Sequence, residues 1–237
     1  MAFIDAFNGD ADGLCALQQL RLAKPGNTIL VTGVKRDELN TLLNKGINIQ
    51  YFDHHFAGDI PHHANLKTHI NTLADTCTSL IVNQHLQGQY TPWAITGAFG
   101  DNLDDSARAA ATPLDLNDKQ LNALRELGIF INYNAYGATV DDLHFNPADL
   151  FKHLHPYTDP LAFIADSDAF VQLRSGYNED SAQAEKIIPD FEALGHALYI
   201  FPAEPWARRV SGVFANKLAQ NAPERAHALL THLTDSG

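Results

Sequence analysis

Short apolar runs alternate with longer amphipathic stretches over the first half of the chain. Phe3-Ile4-Asp5-Ala6-Phe7 reads as a strand, and Gly13 to Ala23 carries Leu14, Leu17, Leu20 and Leu22 at helical spacing. Pro25-Gly26 ends that helix, and Thr28-Ile29-Leu30-Val31-Thr32 is a second strand. Asp37 to Asn44 reads as a helix capped by Asp37 and closed by Gly46. Ile49-Gln50-Tyr51-Phe52 is apolar and aromatic enough for a buried strand. A His-rich loop is expected from Phe56 to Asn71, with Gly58 and Pro61 as breakers. Helices are expected over Thr76–Leu86 and Leu121–Leu127, with a buried apolar segment at Trp93–Phe99. This alternation predicts an α/β fold, with a parallel sheet and flanking helices.

The pattern weakens and then restarts. Residues 148–170 look helical but are interrupted by Pro156 and Pro160, and the polar stretch 174–190 suits a linker. Ala197-Leu198-Tyr199-Ile200-Phe201 is a strand, and Trp206 to Gln220 is a helix with Pro205 at its start. Ala226–Leu233 fits either a strand or a helix. The expected division is residues 1–172, a linker over 173–194, and a smaller, incomplete α/β unit over 195–237.

Composition narrows the partners. Net charge is −12, from 16 Lys+Arg against 28 Asp+Glu. Long nucleic acid is bound by neutralising phosphates, so this balance argues against a long-duplex binder. No apolar stretch approaches the roughly 20 residues of a membrane span, and no signal-peptide pattern opens the sequence. Cys15 and Cys77 are the only cysteines, and each falls in a helix or at its entrance. Buried thiols are expected there rather than a disulfide, which fits the cytoplasm.

Two polar clusters interrupt this pattern where strands end. Asn8-Gly9-Asp10-Ala11-Asp12-Gly13 follows the first strand, and Asp53-His54-His55 follows Ile49–Phe52. Open α/β sheets bind ligands at carboxyl ends of strands, and carboxylates with a nearby imidazole suit a divalent metal such as Mn²⁺. Gly100-Asp101-Asn102 closes the apolar segment before it. A solvated turn is the competing reading for Asp10 and Asp12.

These residues resemble the DHH phosphoesterase superfamily, named for the tripeptide present here as Asp53-His54-His55. Asn8–Gly13 resembles the family's first motif in the form of its single-strand exonucleases, and Gly100-Asp101 resembles the fourth. The form found in pyrophosphatases and many oligonucleotide-degrading members has a His four residues before the first Asp, where this chain has Ala6. The stretch from Glu204-Pro205-Trp206-Ala207-Arg208-Arg209 to Leu233 resembles the opening of the DHH-associated C-terminal domain, without its glycine-rich motif. The second-motif Asp, which bridges two metals, has no counterpart. Thr28–Thr32 is followed by Gly33-Val34-Lys35-Arg36 and then the Asp37 helix, which points to residues missing between Gly33 and Asp37.

The resemblance implies a two-cation phosphoesterase. Asp10, Asp12, His54 and Asp101 would be metal ligands for Mn²⁺, with Mg²⁺ or Co²⁺ as alternatives. A bridging water would lose a proton near neutral pH and attack phosphorus in line. Asp53 would orient an imidazole, and His55 would touch a phosphate or stabilise the leaving side. Thr78 and Ser79 fit either a phosphate at a helix N-terminus or ordinary capping. Arg208 and Arg209 fit either a substrate-facing or a solvated position. His62, His63 and His69 read as exposed loop residues, and Asn132–Gly137 as a nucleobase site or a structural turn. The implied substrate is a short or cyclic oligonucleotide or other phosphate ester. A pyrophosphatase or polyphosphatase, or a degenerate nucleotide-binding module, are the alternatives, and a homodimer is compatible with all three.

Overall fold

The computed structural model describes residues 3–26, 28–32 and 36–232, and the chain divides into two units. The first comprises Met1–Asn132 with Pro147–Ser167, and the second Tyr133–Asn146 with Asp168–Gly237.

The first unit begins with β1 (Phe3–Phe7), α1 (Ala11–Ala23), β2 (Thr28–Thr32), α2 (Arg36–Asn44), β3 (Ile49–Asp53) and β4 (Leu66–Ile70). Helices α3 (Thr78–His85), α4 (Thr91–Gly100), α5 (Asp104–Ala111) and α6 (Asp118–Tyr133, to Asn132 in this unit) follow, with α7 (Pro147–Leu154) and α8 (Pro160–Asp166). β1 pairs with β2 in parallel, Phe3 opposite Thr28, and β3 pairs with β4 in parallel, Ile49 opposite Leu66. β4 lies within the expected loop. Its Leu66-Lys67-Thr68-His69-Ile70 has one charged and two polar residues, so it lacks the apolar run of a buried strand.

No ladder joins β1 or β2 to β3 or β4 among the described residues. Parallel sheets are normally covered on both faces and read as continuous. Here Ile4 and Ile29 are each 60% exposed, so no helix among the described residues covers the β1–β2 face that carries them. Only α2 is described between β2 and β3, and no second-motif strand is found there. The expected omission between Gly33 and Asp37 falls on residues 33–35, which lie outside the described residues.

Helices form the core behind the strands. α4 is buried along its whole length apart from Pro92, which explains why Trp93–Phe99 shows no amphipathic period. Glycines set how closely its neighbours approach. A Cβ on Gly100 would lie 2.2 Å from Ala11 Cβ and 2.7 Å from Gly128 O. One on Gly97 would lie 2.4 Å from Ser79 Oγ. α1 is buried nearly all round, and the Nε2 groups of its polar Gln18 and Gln19 donate to carbonyls. Gln18 Nε2 donates to Tyr157 O at 2.8 Å, and Gln19 Nε2 donates to Ser79 O at 3.0 Å.

The second unit holds α9 (Asp168–Ala184), β5 (Phe191–Ala193), β6 (His196–Phe201), α10 (Pro205–Asn221) and β7 (Ala226–Thr231). β6 lies between antiparallel β5 and parallel β7. Alternate β6 residues Ala197, Tyr199 and Phe201 meet Ala207, Val210 and Phe214 of α10. The stretch read as a linker from residue 174 is instead mostly α9. Its buried stripe is Ala169, Leu173, Gly176, Asp180 and Ala184. A glycine and an aspartate within that stripe erase the apolar signal that marks a helix face.

Asp180 belongs to a buried polar network. It accepts from Tyr133 Oη and from Arg209 Nε, the latter at 2.8 Å, while Tyr133 Oη lies 2.8 Å from His144 Nε2. Burial, then the adjacent Asp180, pushes the Tyr133 hydroxyl well above its ordinary value. Arg208 makes a bidentate pair with Asp142 at 2.7 and 2.9 Å. Both guanidinium groups expected to face substrate are therefore committed to carboxylates of their own unit. Asn134, in the segment read as a base site or a turn, clamps both backbone groups of Phe145, eleven residues further on, through its side-chain amide.

Two substitutions test this packing. Gly100→Ala forces Ala11 and the Gly128 backbone apart and is expected to lower stability by ~1–3 kcal/mol, read as a lower urea midpoint. Arg209→Met strands the buried Asp180 carboxylate and is expected to cost ~3–5 kcal/mol by the same measurement.

Candidate metal centre

The first acidic cluster is built by the turn from β1 into α1. Asp10 is the N-cap of α1, and its Oδ1 accepts from Gly13 N at 2.8 Å. The glycines around it are needed for close approach. A Cβ on Gly13 would sit 2.3 Å from Asn8 O, and one on Gly9 2.4 Å from Pro147 Cγ. The turn reading and the ligand reading of Asp10 thus describe the same residue, because capping uses one carboxylate oxygen and leaves the other. Burial is the main reason that the Asp10 carboxyl is raised above its ordinary value.

Asp12, two residues further along, is buried. Its Oδ1 accepts from Ser79 N at 2.6 Å and its Oδ2 from Thr78 N at 2.9 Å. The N-terminus of α3 therefore holds an anion, as its orphan amides and dipole favour. That anion is a carboxylate of the protein. Thr78 and Ser79, expected either at a phosphate or as caps, spend their amides on Asp12. Ser79 Oγ is buried and contacts Ala94 O at 3.2 Å.

His54 extends from the end of β3 toward the same place. Its Nε2 lies 3.7 Å from Asp12 Oδ2 and 3.7 Å from Asp101 Oδ2. These separations are too long for hydrogen bonds. Two ligands of one cation at ~2.1 Å stand about 3–3.5 Å apart, close to this spacing. Asp101 follows α4 as its C-cap residue. Burial first, then the neighbouring Asp12, raises the Asp101 carboxyl to about 6, with His54 opposing them. Negative groups have thus been gathered where a positive charge is wanted.

Asp53 and His55 form a second layer. Asp53 Oδ1 accepts from His55 N at 3.0 Å and lies 2.9 Å from His55 Nδ1, while its Oδ2 accepts from Tyr51 Oη at 2.7 Å. Burial alone would raise the Asp53 carboxyl, but these hydrogen bonds outweigh it and hold it below its ordinary value. The imidazole that Asp53 orients is His55, whose side chain is 64% exposed. His69 is not an exposed loop residue. It lies in β4, stacked on Phe52 at 4.5 Å and edge-on to His85 at 4.6 Å. Burial, then His85, lowers its pKa.

The donor set fits a divalent cation. Two carboxylates and an imidazole converge, and α3 amides satisfy the remaining capacity of Asp12. A further donor was read from the sequence only as a buried thiol. Ligand atoms of Asp12, Cys77 and Asp101 all lie within 4.8 Å of one another. The sequence signal for it was position alone, at the entrance to α3. Both cysteines are buried and free. No helix among the described residues is long and apolar enough to cross a membrane.

The raised Asp101 carboxyl makes a pH test specific. Without a cation, the fold holds this proton more tightly than the unfolded chain does, so the group's contribution to stability is complete below its ordinary value of 3.8 and is lost as pH rises through about 6. A bound cation needs the ionised form and reverses that order. Mn²⁺ is therefore expected to raise Tm more at about pH 7.5 than at about pH 5. Differential scanning fluorimetry with and without Mn²⁺ reads it, and equal shifts at both pH values would contradict this account of the carboxylates.

Comparison with family sequence models and with curated proteins finds no match. Comparison of structures does. The chain is similar to a crystal structure of exonuclease RecJ bound to manganese, with a TM-score of 0.60 and 15% sequence identity. The match covers 97% of this chain and 75% of that one. The likeness is one of fold: the chain has an α/β fold like that of this exonuclease.

Proposed function

We propose that this protein is a divalent-metal-dependent phosphodiesterase that hydrolyses short or cyclic oligonucleotides, with Mn²⁺ as its favoured cation. The observation that carries this reading is the convergence of His54 Nε2 on Asp12 and Asp101 at 3.7 Å from each, at the ends of strands and helices. The solved structure it resembles is an exonuclease with manganese bound. The acidic chain supports a short substrate over a long duplex.

Each residue has a distinct task in this reading. Asp12, Asp101 and His54 hold the cation, and the half-buried Asp10 supplies a further carboxylate beside them. The α3 amides fix the Asp12 carboxylate so that it needs no rearrangement when charge develops. Asp53 holds the His55 ring through Nδ1, which leaves Nε2 of this exposed imidazole directed away from Asp53. From there it can touch a phosphate oxygen or the leaving group. When bound, the cation supplies Lewis acidity and lowers the pKa of the attacking water. No side-chain nucleophile is needed, and the buried, pKa-raised Cys15 and Cys77 thiols are unsuited to that role.

A degenerate nucleotide-binding module is the second reading. It is favoured by the unjoined β1–β2 and β3–β4 pairs, between which no strand brings a bridging carboxylate among the described residues. Calorimetry with Mn²⁺ separates the two: coupled cation binding supports the hydrolase, and nucleotide binding without a cation supports the module.

The hydrolase reading is tested by incubating the protein with Mn²⁺ and dinucleotides, short single strands, cyclic dinucleotides or pyrophosphate. Turnover of a diester is expected. His54→Ala should lower kcat/KM more than ~100-fold, and Asp53→Asn about 10–100-fold, because the latter only loosens the orientation of His55. No turnover of any diester would end this reading, and faster phosphate release from pyrophosphate would replace it with a pyrophosphatase.

A further inference from the structure

Cys77 packs in the apolar core with Ile95, Ala98 and Phe99, yet it also borders polar groups. It is the N-cap residue of α3, a place usually taken by Ser, Thr, Asp or Asn for their side-chain oxygens. Its side chain makes no capping hydrogen bond, and the first amides of α3 go to Asp12 instead. The thiol is fully buried, yet it is not set among apolar groups alone. Its Sγ lies 3.2 Å from Ser79 Oγ, and within 4.8 Å of carboxylate oxygens of both Asp12 and Asp101. Cys15 is equally buried but does not belong to this group.

His54 stands beside two of these residues, outside the group that Asp12, Cys77 and Asp101 form. Its Nε2 stands 3.7 Å from the same two carboxylates, at ligand rather than hydrogen-bond spacing. Even with Asp10, three carboxylates and one imidazole give four donors, fewer than the six of an octahedral cation, and no strand-end carboxylate supplies another between β2 and β3 among the described residues. The thiol is the unassigned donor within reach. Its side is the buried one, whereas the Asp101 side chain is 33% exposed, so a solvent-facing position stays open for water or substrate.

We propose that Cys77 Sγ is a ligand of the cation held by Asp12, His54 and Asp101, so that the centre is a mixed sulfur, nitrogen and oxygen site. This rests on the reading of that cluster as a cation site. On binding, the S–H bond breaks, its proton leaves to solvent and a sulfur–metal bond forms, with no change in oxidation state. A thiolate ligand favours Zn²⁺, Co²⁺ or Fe²⁺ over Mg²⁺. Mn²⁺ is still accepted through the oxygen and nitrogen donors.

Titration of the full chain with Co²⁺ under reducing, anaerobic conditions tests it. The expected result is a near-ultraviolet sulfur-to-cobalt charge-transfer band that grows with the visible d–d bands and resists a large excess of Mg²⁺. The band should vanish in Cys77→Ser and persist in Cys15→Ser, with d–d bands retained in both. The wild-type spectrum decides even if a variant folds poorly. Co²⁺ binding with d–d bands but no charge-transfer band overturns the thiolate ligand and leaves the oxygen and nitrogen site intact. Absence of Co²⁺ binding overturns the cation site itself, and this proposal with it.

Discussion

The Asp12 carboxylate, gripped by the first two amides of α3, is the contact on which the rest of the first unit depends. It ties the turn after β1 to a helix that begins 66 residues later in the chain. A carboxylate this deeply buried is costly unless its oxygens are paired. The orphan amides of a helix N-terminus pair it, and the helix dipole adds to their effect. The same contact sets where α3 begins, and so brings Cys77 beside Asp12. His54 then reaches both Asp12 and Asp101 from β3. The position of Asp12 is therefore set by a capping interaction.

Close packing of helices protects that geometry. Gly97, Gly100 and Gly128 allow α1, α3, α4 and α6 to approach within distances that any side chain would prevent. Asp101 comes directly after Gly100, so its position is inherited from a backbone contact. Interiors packed to this density transmit small displacements. A methyl group added at Gly100 would consequently be felt at the carboxylates as well as in the fold. The second unit solves a similar electrostatic problem differently. There, Asp142 and Asp180 are neutralised by Arg208 and Arg209, and the cations are used up in doing so.

The sequence by itself determined much of the local structure. Apolar runs with flanking Gly, Pro and Asp specified β1, α1, β2, β3, β6 and α10. It also marked the polar clusters after β1, β3 and α4, since Asp10, Asp12, Asp53, His54, His55 and Asp101 are residue types that packing alone does not favour there. Where elements bury polar or small residues, the signal failed. α9 was hidden by Gly176 and Asp180 on its inner stripe, and β4 by Lys67, Thr68 and His69. Only the tertiary structure decided what each polar group touches. It gave the amides of Thr78 and Ser79 to Asp12, the guanidinium groups of Arg208 and Arg209 to Asp142 and Asp180, and the Cys77 thiol to the metal-competent carboxylates. Periodicity reports which side of an element is buried, whereas a hydrogen bond or a ligand set depends on distances between residues far apart in the chain, and those exist only once the helices have packed.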